Sequence, residues 1–310
     1  MTATPKRRGL PIHGWLVIDK PLGVSSAQVV GVVRRAIGAA KAGHAGTLDP
    51  LATGILPVAL GEATKTVPYV MDGTKAYRFT VRWGEGTSTD DAEGEVIAAS
   101  PSRPTPREIE AAVARMTGEI EQVPPAYSAV HVSGQRAYAL ARAGRSVDLA
   151  SRRVVIHRFA LVARPDNDHA VFEVACGKGV YIRSLARDLA AGLGTCGHVS
   201  SLRRTAVGPF GEEQAIPLET LQSLGHSPAA FGHLLPVEAV LDDIPALDLT
   251  DTEANRLRRG QPVGLIDRLD PTCIGPLESG CIVWARAGGK PVALARFEAG
   301  GLRPVRVLNL

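Results

Sequence analysis

The sequence has little cysteine, few aromatic residues and no long apolar run. Four of its 310 residues are cysteine, and no two of them follow the Cys-x-x-Cys spacing. A chain of this length can bury a large core without disulfides, so we expect reduced thiols and a cytoplasmic protein. No apolar run approaches the roughly 18 residues that a membrane-spanning helix needs, so we expect no membrane partner.

Several classes of enzyme lack their motifs in this sequence. The eight histidines show neither the HExxH nor the HxH spacing, and we therefore expect no metal site. We find no GxxxxGKS or GxxxxGKT loop, and no GxGxxG placed between a strand and a helix. Phosphate-loop NTPases and dinucleotide enzymes are therefore poor fits.

The chain carries a mild excess of positive charge. Its 35 Lys and Arg residues against 31 acids give a net charge of +4, which is compatible with a nucleic-acid partner but does not require one. The excess is concentrated in residues 1–45, which contain seven basic residues and one acid. This segment is either a nucleic-acid contact or a solvated tail followed by a surface helix. With only 14 aromatic residues, a surface covered with stacking rings is not expected.

Helical and strand patterns alternate without a strict strand–helix–strand order. This predicts an α+β fold with a mixed, largely antiparallel central sheet and flanking helices. We predict a basic flexible tail over residues 1–13, a main catalytic domain over 14–245 and a small β-barrel-like domain over 246–310. Residues 221–236 contain Gly, Ser, Pro and His without a period, and we interpret them as a linker.

Local signals place several elements. Capping boxes at Ser25 and Thr105 predict helices that end near Gly38 and Thr117. Alternation of side-chain character predicts strands at 15–18, 77–83, 154–162 and 170–176. Further helices are predicted at 135–143, 181–191 and 252–259, short strands at 263–266, 281–286, 291–297 and 304–308, and an irregular loop at 42–57.

The most informative segment is 43–57, GHAGTLDPLATGILP. Its three glycines and two prolines predict an irregular backbone, and Pro50 disfavours a helical conformation at Asp49. Asp49 is open to two interpretations at this point. It caps a helix that starts at Pro50, or it is a nucleophile or base that a nearby cation keeps ionised beside apolar surface.

Arg183 is a candidate for that cation. Residues 177–185 predict a strand that runs through a Gly-Lys-Gly turn into a helix, with Arg183 in the first helical turn. The helix dipole disfavours a cation there, and a nearby anion would offset the cost. Arg183 could equally reach solvent, and both Tyr181 and Tyr77 could be half-buried packing residues with solvated hydroxyl groups.

The segment 43–57 resembles the catalytic motif of the bacterial tRNA pseudouridine-55 synthases of the TruB family. The blocks that carry the resemblance occur in the family's order at 17–26, 75–78, 86–94, 122–138, 176–183 and 197–204. Residues 253–261 and 302–308 resemble, more loosely, a PUA-type RNA-binding module. The sequence departs from the family at His131, where lysine is usual, so an RNA contact there would depend on pH.

The resemblance implies a pseudouridine synthase-like fold and the isomerisation of uridine 55 in the T-arm of tRNA, without a cofactor. Asp49 would be the nucleophile, attacking either the sugar or the base, and Arg183 would keep it ionised. Tyr77 would stack on the base and is a candidate for removing the C5 proton. His44 would insert where the flipped base leaves the stack.

The remaining site residues are also implied by the resemblance. Tyr181 and Leu202 would contact the substrate, and Lys20 would shape the floor of the pocket. Phosphate contacts are expected from the basic start of the chain and from Arg142, Arg145, Arg152, Arg153, Arg203 and Arg204. The C-terminal module would bind the acceptor side of the tRNA. We expect a monomer that needs no protein partner; the alternatives are a non-catalytic RNA-binding protein and a guide-RNA-dependent subunit of a ribonucleoprotein.

Overall fold

The computed structural model describes residues 9–128, 130–132, 135–143, 148–265 and 277–310. Within these ranges the strands are β1 (Gly14–Lys20), β2 (Ala42–His44), β3 (Ala52–Leu60), β4 (Lys75–Trp83), β5 (Glu85–Thr87), β6 (Val96–Ala99), β7 (Gly118–Gln122), β8 (His131–Val132), β9 (Gln135–Arg136), β10 (Arg152–Ala163), β11 (His169–Cys176), β12 (Gly197–Val207), β13 (Ile216–Pro217), β14 (Ala246–Asp248), β15 (Val263–Gly264), β16 (Ile282–Ala287), β17 (Lys290–Glu298) and β18 (Gly301–Val307). The α-helices are α1 (Ser26–Ile37), α2 (Val67–Asp72), α3 (Pro106–Arg115), α4 (Ala137–Arg142), α5 (Ile182–Gly192), α6 (Leu218–Leu224), α7 (Pro228–Phe231) and α8 (Asp251–Arg258). Short 3-10 helices lie at Gly61–Lys65, Glu212–Gln214 and Val237–Val240. Within the same ranges, no helix combines the length and the apolar character needed to cross a membrane.

The larger sheet has the strand order β13-β1-β3-β12-β4-β11-β10-β7, with β2 paired to β3. The pairs β1–β13 and β3–β12 are parallel and the other pairs are antiparallel. The prediction of a mixed, largely antiparallel sheet with flanking helices is therefore confirmed. The parallel pair β3–β12 matters for function because it sets Leu202 opposite Ala52, directly after the loop that carries Asp49.

The capping signals place α1 and α3 where the sequence predicts them. Ser25 accepts a hydrogen bond from the backbone N–H of Gln28, and α1 ends at Gly38 in the left-handed conformation (φ 72°). Thr105 forms the same reciprocal capping box with Glu108. Each cap satisfies backbone donors that the helix leaves free, which is why such short-range signals fix helix starts.

Two apolar cores meet at the centre of the large sheet. The first packs α3 and α5 against β4, β10 and β11, around Phe79, Phe172 and Leu185. The second packs α1 and α6 against β1 and β3. Tyr77 and Leu202 contact both cores, so they lie at the junction between them.

The C-terminal residues form a five-stranded sheet in the order β14-β16-β17-β18-β15, covered by α8. This confirms the predicted small β unit, while its identification as a PUA module stays a prediction. The unit packs on the rest of the chain because Trp284, Leu294 and Leu308 share an apolar cluster with Trp15 and Val70.

Three predictions of local structure are wrong. Residues 42–57 are not one loop, because β2 and β3 occupy both ends and leave only residues 45–51 irregular. Residues 221–236 contain α7 and the end of α6, which are too short for a visible period. The helix predicted at 135–143 begins at Ala137, since residues 135–136 pair with β8.

Several predicted features involve residues that the structure does not describe. Residues 1–8 of the predicted tail lie outside the described residues, whereas Leu10 pairs with the segment after α1 through hydrogen bonds to Gly38 and Ala40. Cys273, Arg145 and Ile266 also lie outside them, as do the side chains of Arg142 and His131. The three described cysteines are unpaired thiols.

Candidate active site

Asp49 lies in the segment of residues 45–51 between β2 and β3, called here the Asp49 loop. No helix begins at Asp49, so the interpretation of this residue as a helix cap is wrong. Its carbonyl instead accepts a hydrogen bond from the N–H of Ala52 (3.0 Å), which closes a turn into β3. The carboxylate is therefore available to other partners.

The Asp49 loop is fixed on both sides of the carboxylate. The hydroxyl of Ser26 accepts from the N–H of Leu48 (2.8 Å) and donates to the carbonyl of the same residue (2.9 Å). The carbonyl of Pro50 accepts from Lys20 Nζ (3.2 Å). Because the residues before and after Asp49 are both held, its backbone is positioned without help from its own side chain.

Arg183 pairs with Asp49. Its Nη2 lies 2.8 Å from Asp49 Oδ2 and also donates to the carbonyl of Tyr127 (2.9 Å), while Nη1 donates to the carbonyl of Thr89 (3.0 Å). The Arg183 side chain is 8% exposed and that of Asp49 is 42% exposed. The interpretation of Arg183 as a solvent-exposed residue is therefore wrong. The guanidinium is buried, and the Asp49 carboxylate that it holds is open to solvent.

A second carboxylate, which the sequence analysis missed, completes the surroundings of Arg183. Asp91 Oδ2 lies 3.4 Å from Arg183 Nη1, and the Asp91 side chain is 4% exposed. Its other oxygen accepts from the N–H of Glu93 (3.0 Å) and from the hydroxyl of Thr89. Arg183 is thus held between one buried and one accessible carboxylate, which restricts its head group to a single position.

Tyr77 is connected to the Asp49 loop by Arg204. The Arg204 guanidinium donates to the carbonyls of Ile55 (2.8 Å) and Gly46 (3.0 Å), and Arg204 on β12 lies opposite Tyr77 on β4. Burial raises the pKa of the Tyr77 hydroxyl, and the charge of Arg204 opposes this. Burial lowers the pKa of Arg204. Arg204 is 2% exposed, so its predicted role as a phosphate contact is wrong.

Lys20 supports the site from beneath. It is fully buried, and besides Pro50 its ammonium group donates to the carbonyls of Val24 (2.6 Å) and Pro21 (3.0 Å). Burial lowers its pKa to about 8, against the opposing charges of Asp49 and Glu93. These contacts give Lys20 a structural task, which is to tie the end of β1 to the Asp49 loop.

His44 lies at the end of β2, five residues before Asp49. Its Nδ1 atom is buried without a hydrogen-bond partner among the described residues. Burial, and secondarily the charge of Arg204, lower the pKa of its imidazole ring. The charged form of the ring is therefore disfavoured, and Nδ1 stays unsatisfied within the part of the chain that the structure describes.

Tyr181 occupies the N-cap position of α5, directly before Ile182 and Arg183. Its backbone exchanges two hydrogen bonds with the buried side chain of Gln122 (2.8 and 3.1 Å). Its ring packs on a small cluster formed by Val130, Ala137 and Leu149. The structure thus places Tyr181 at the start of the helix that carries Arg183, with its ring against Val130, Ala137 and Leu149.

Arg203 is not free to bind phosphate in this structure. Its guanidinium makes two 2.9 Å contacts with the carboxylate of Asp19 and a 2.7 Å contact with Glu212. Arg152 and Arg153, by contrast, are exposed on β10. Among the described arginines predicted between residues 142 and 204, these two are accessible, and Arg153 lies 3.3 Å from Glu119 at the surface.

The arrangement has elements that nucleophilic catalysis requires. A rigidly mounted and accessible carboxylate is paired with a buried cation, and an aromatic side chain is tied to the same loop. The guanidinium of Arg183 is buried, where charge interactions are stronger than at the surface, while the Asp49 carboxylate stays open to solvent.

Solved structures share the fold. The chain is similar to one in "Crystal Structure of a Cbf5-Nop10-Gar1 Complex", with a TM-score of 0.74 and 24% identity over 96% of this chain and 85% of that one. It is equally similar (TM-score 0.74, 22% identity, 96% and 85% coverage) to a chain in "Structure of H/ACA RNP bound to a substrate RNA containing 2'-deoxyuridine". The chain therefore shares its fold with these two proteins, and the family match given next identifies it as a pseudouridine synthase fold.

Sequence comparisons specify the family. The family described as "TruB family pseudouridylate synthase (N terminal domain)" matches residues 34–182, and "tRNA pseudouridylate synthase B C-terminal domain" matches residues 183–242. The chain is 55% identical over 305 residues to a tRNA pseudouridine synthase B of Rhodospirillum rubrum, covering 98% of this chain and 99% of the relative. It is 56% identical to the protein of that name from Bradyrhizobium diazoefficiens, with 96% and 86% covered. The chain belongs to the TruB family of pseudouridylate synthases, which are isomerases.

Proposed function

We propose that this enzyme converts uridine 55 in the T-arm of tRNA to pseudouridine, as a cytoplasmic monomer that needs no cofactor or protein partner. The observation that carries the proposal is the 2.8 Å pair between the accessible carboxylate of Asp49 and the buried guanidinium of Arg183. The names of the relatives, tRNA pseudouridine synthase B, support tRNA as the substrate.

The target uridine must first leave the stack of the folded arm. Extruding a base costs a few kcal/mol, which contacts in the pocket partly recover. Tyr77 would stack on the extruded uracil, with Leu202 and Tyr181 as walls of the pocket. His44 would fill the vacated position in the RNA, where the unsatisfied Nδ1 atom could find a partner.

The chemistry then rearranges one nucleotide. With Asp49 as the nucleophile, at either the sugar C1′ or the uracil ring, the N1–C1′ bond breaks and Arg183 holds the carboxylate in place. The base turns, a C5–C1′ bond forms, and the bond between Asp49 and the nucleotide breaks to return the free carboxylate. The C5 proton leaves and N1 gains a proton. Tyr77 is the candidate base for the C5 proton. Because atoms and electrons balance within the nucleotide, this route needs no oxidant, reductant or co-substrate.

Exposed basic residues would position the tRNA. Arg34 and Arg35 at the end of α1, Lys41 after it, and Arg152 and Arg153 on β10 are accessible to phosphates. Such contacts orient a nucleic acid without reading its sequence. The C-terminal sheet would act as a PUA-like module on the acceptor side of the tRNA.

An Asp49→Asn variant tests the assignment. The amide keeps the shape of the side chain but removes its negative charge, so tRNA binding should stay within about threefold while turnover is lost by several orders of magnitude. Asp166→Asn is the matched control, because Asp166 is exposed on the turn between β10 and β11. Substantial pseudouridine formation by purified Asp49→Asn would contradict the role of Asp49.

A further inference from the structure

The loop between β5 and β6 directs two adjacent carboxylates to two different arginines. Asp90 adopts a left-handed backbone conformation (φ 60°), which is uncommon for residues other than glycine. Asp91 faces Arg183, whereas Asp90 Oδ2 lies 2.8 Å from Nη1 of Arg187. The unusual backbone at Asp90 accompanies this divergence of the two side chains.

Arg183 and Arg187 are four residues apart on α5 and therefore lie on one face of the helix. Besides Asp90, Arg187 donates to the carbonyl of Val123 (2.9 Å), just as Arg183 donates to the carbonyl of Tyr127 (2.9 Å). Each arginine thus connects α5 to the same two segments, 87–94 and 123–128. The Asp90–Arg187 pair repeats, one turn further along the helix, the attachment that Arg183 makes inside the site.

We propose that Asp90 and Arg187 form a positioning pair for the isomerisation: they fix the loop of residues 87–94 so that Asp91 holds Arg183 against Asp49. The proposal rests on the proposed function. The pair is enclosed enough to be effective, since the side chains of Asp90 and Arg187 are 16% and 33% exposed. Burial raises the pKa of Asp90, and the charge of Arg187 opposes this shift.

The backbone of Asp90 allows its charge to be removed alone. Asparagine, like aspartate, tolerates the left-handed region better than other residues with side chains. Asp90→Asn therefore preserves the turn and removes one interaction. Glu173→Gln is the matched control, because it neutralises the acid of an exposed pair, Glu173–Arg78, between β4 and β11.

The test is a double-mutant cycle with Asp90→Asn, Arg187→Gln and the combined variant, on an unmodified tRNA transcript. We expect each single change to slow single-turnover pseudouridine formation about tenfold, with the Kd for tRNA within about twofold of the wild-type value. The combined variant should be no slower than Arg187→Gln alone, because Arg187→Gln already removes the contact that Asp90→Asn breaks, along with the contacts of Arg187 to Val123 and Asp188. Glu173→Gln should match the wild type.

Single variants that form pseudouridine at the wild-type rate would overturn the proposal. Rate losses that multiply in the combined variant would also overturn it, and so would equal losses of rate and of tRNA affinity. If urea unfolding shows that Arg187→Gln does not fold, the rate-to-affinity split in Asp90→Asn decides alone. The wild type and Asp49→Asn, assayed on the same transcript, report independently on the proposed function.

Discussion

Replacing Arg183 with methionine should cost far more catalysis than RNA affinity. Methionine keeps an unbranched apolar stem of similar course but has no donor. The change removes contacts to Asp49 (2.8 Å), Asp91 (3.4 Å) and the carbonyls of Thr89 and Tyr127 (3.0 and 2.9 Å). The accessible carboxylate of Asp49 and the buried carboxylate of Asp91 therefore lose their cation at once.

The expected losses of folding stability and of rate follow from how deeply each of the two carboxylates is buried. Asp91 is 4% exposed, and removing one partner of a buried ion pair costs about 3–5 kcal/mol. The remaining hydrogen bonds of Asp91 to Glu93 and Thr89 place the expected loss of folding stability at the lower end, about 3 kcal/mol. Asp49 is 42% exposed and can be solvated, so its loss is mainly one of position. A loss of about 4 kcal/mol in the transition state corresponds to about a thousandfold in rate.

Single-turnover pseudouridine formation with excess enzyme measures the rate, filter binding of the same tRNA measures affinity, and urea unfolding measures stability. We expect a rate at least about a thousandfold lower, a Kd within about threefold, and a lower unfolding midpoint. Equal losses of rate and affinity would show that Arg183 acts in binding. An unchanged midpoint would refute the account of Asp91.

Three further outcomes are expected. Gly54→Ala should destabilise the fold by about 1–3 kcal/mol in urea unfolding, because Gly54 has φ 95° and a Cβ would lie 2.2 Å from the carbonyl oxygen of Arg204. The control Gly192→Ala, where a Cβ would meet open space, should not destabilise it. Lys20 should contribute stability that rises between pH 8 and 10.5, since the unfolded chain binds the Lys20 proton more tightly than the folded one. The unfolding free energy of Lys20→Met should therefore rise less, or fall more, with pH than that of the wild type over this range, and parallel pH profiles would contradict this. The Kd for tRNA should rise steeply with salt, and a flat titration would count against phosphate contacts.

Local signals in the sequence located some elements and not others. The capping boxes of α1 and α3 act within four residues, so they are visible in the sequence alone. The strand β12 was missed because Gly197–Val207 mixes serine and arginine with apolar residues, and its pairing with β3 and β4 is a long-range property. Helices α6 and α7 were missed because each is shorter than two turns.

The sequence likewise indicated some residues of the site and not others. Asp49 and Arg183 stood out because one lies in a Gly/Pro-rich segment and the other in an unfavourable helical turn. The contact of Asp91 with Arg183 joins residues 92 positions apart, and no local pattern predicts it. The prediction that Arg204 contacts phosphate was wrong because two adjacent arginines in a sequence are usually exposed. The fold instead directs Arg203 toward Asp19 and buries Arg204 beneath the Asp49 loop.

We propose that this chain alone isomerises one uridine of tRNA. The most direct measurement maps pseudouridine on an unmodified tRNA transcript after incubation with the purified chain, without cofactor, guide RNA or other protein. A parallel transcript carries cytidine at position 55. We predict one pseudouridine, at position 55 of the first transcript, and none in the second. No pseudouridine in either transcript, or pseudouridine only when another component is added, would contradict the account.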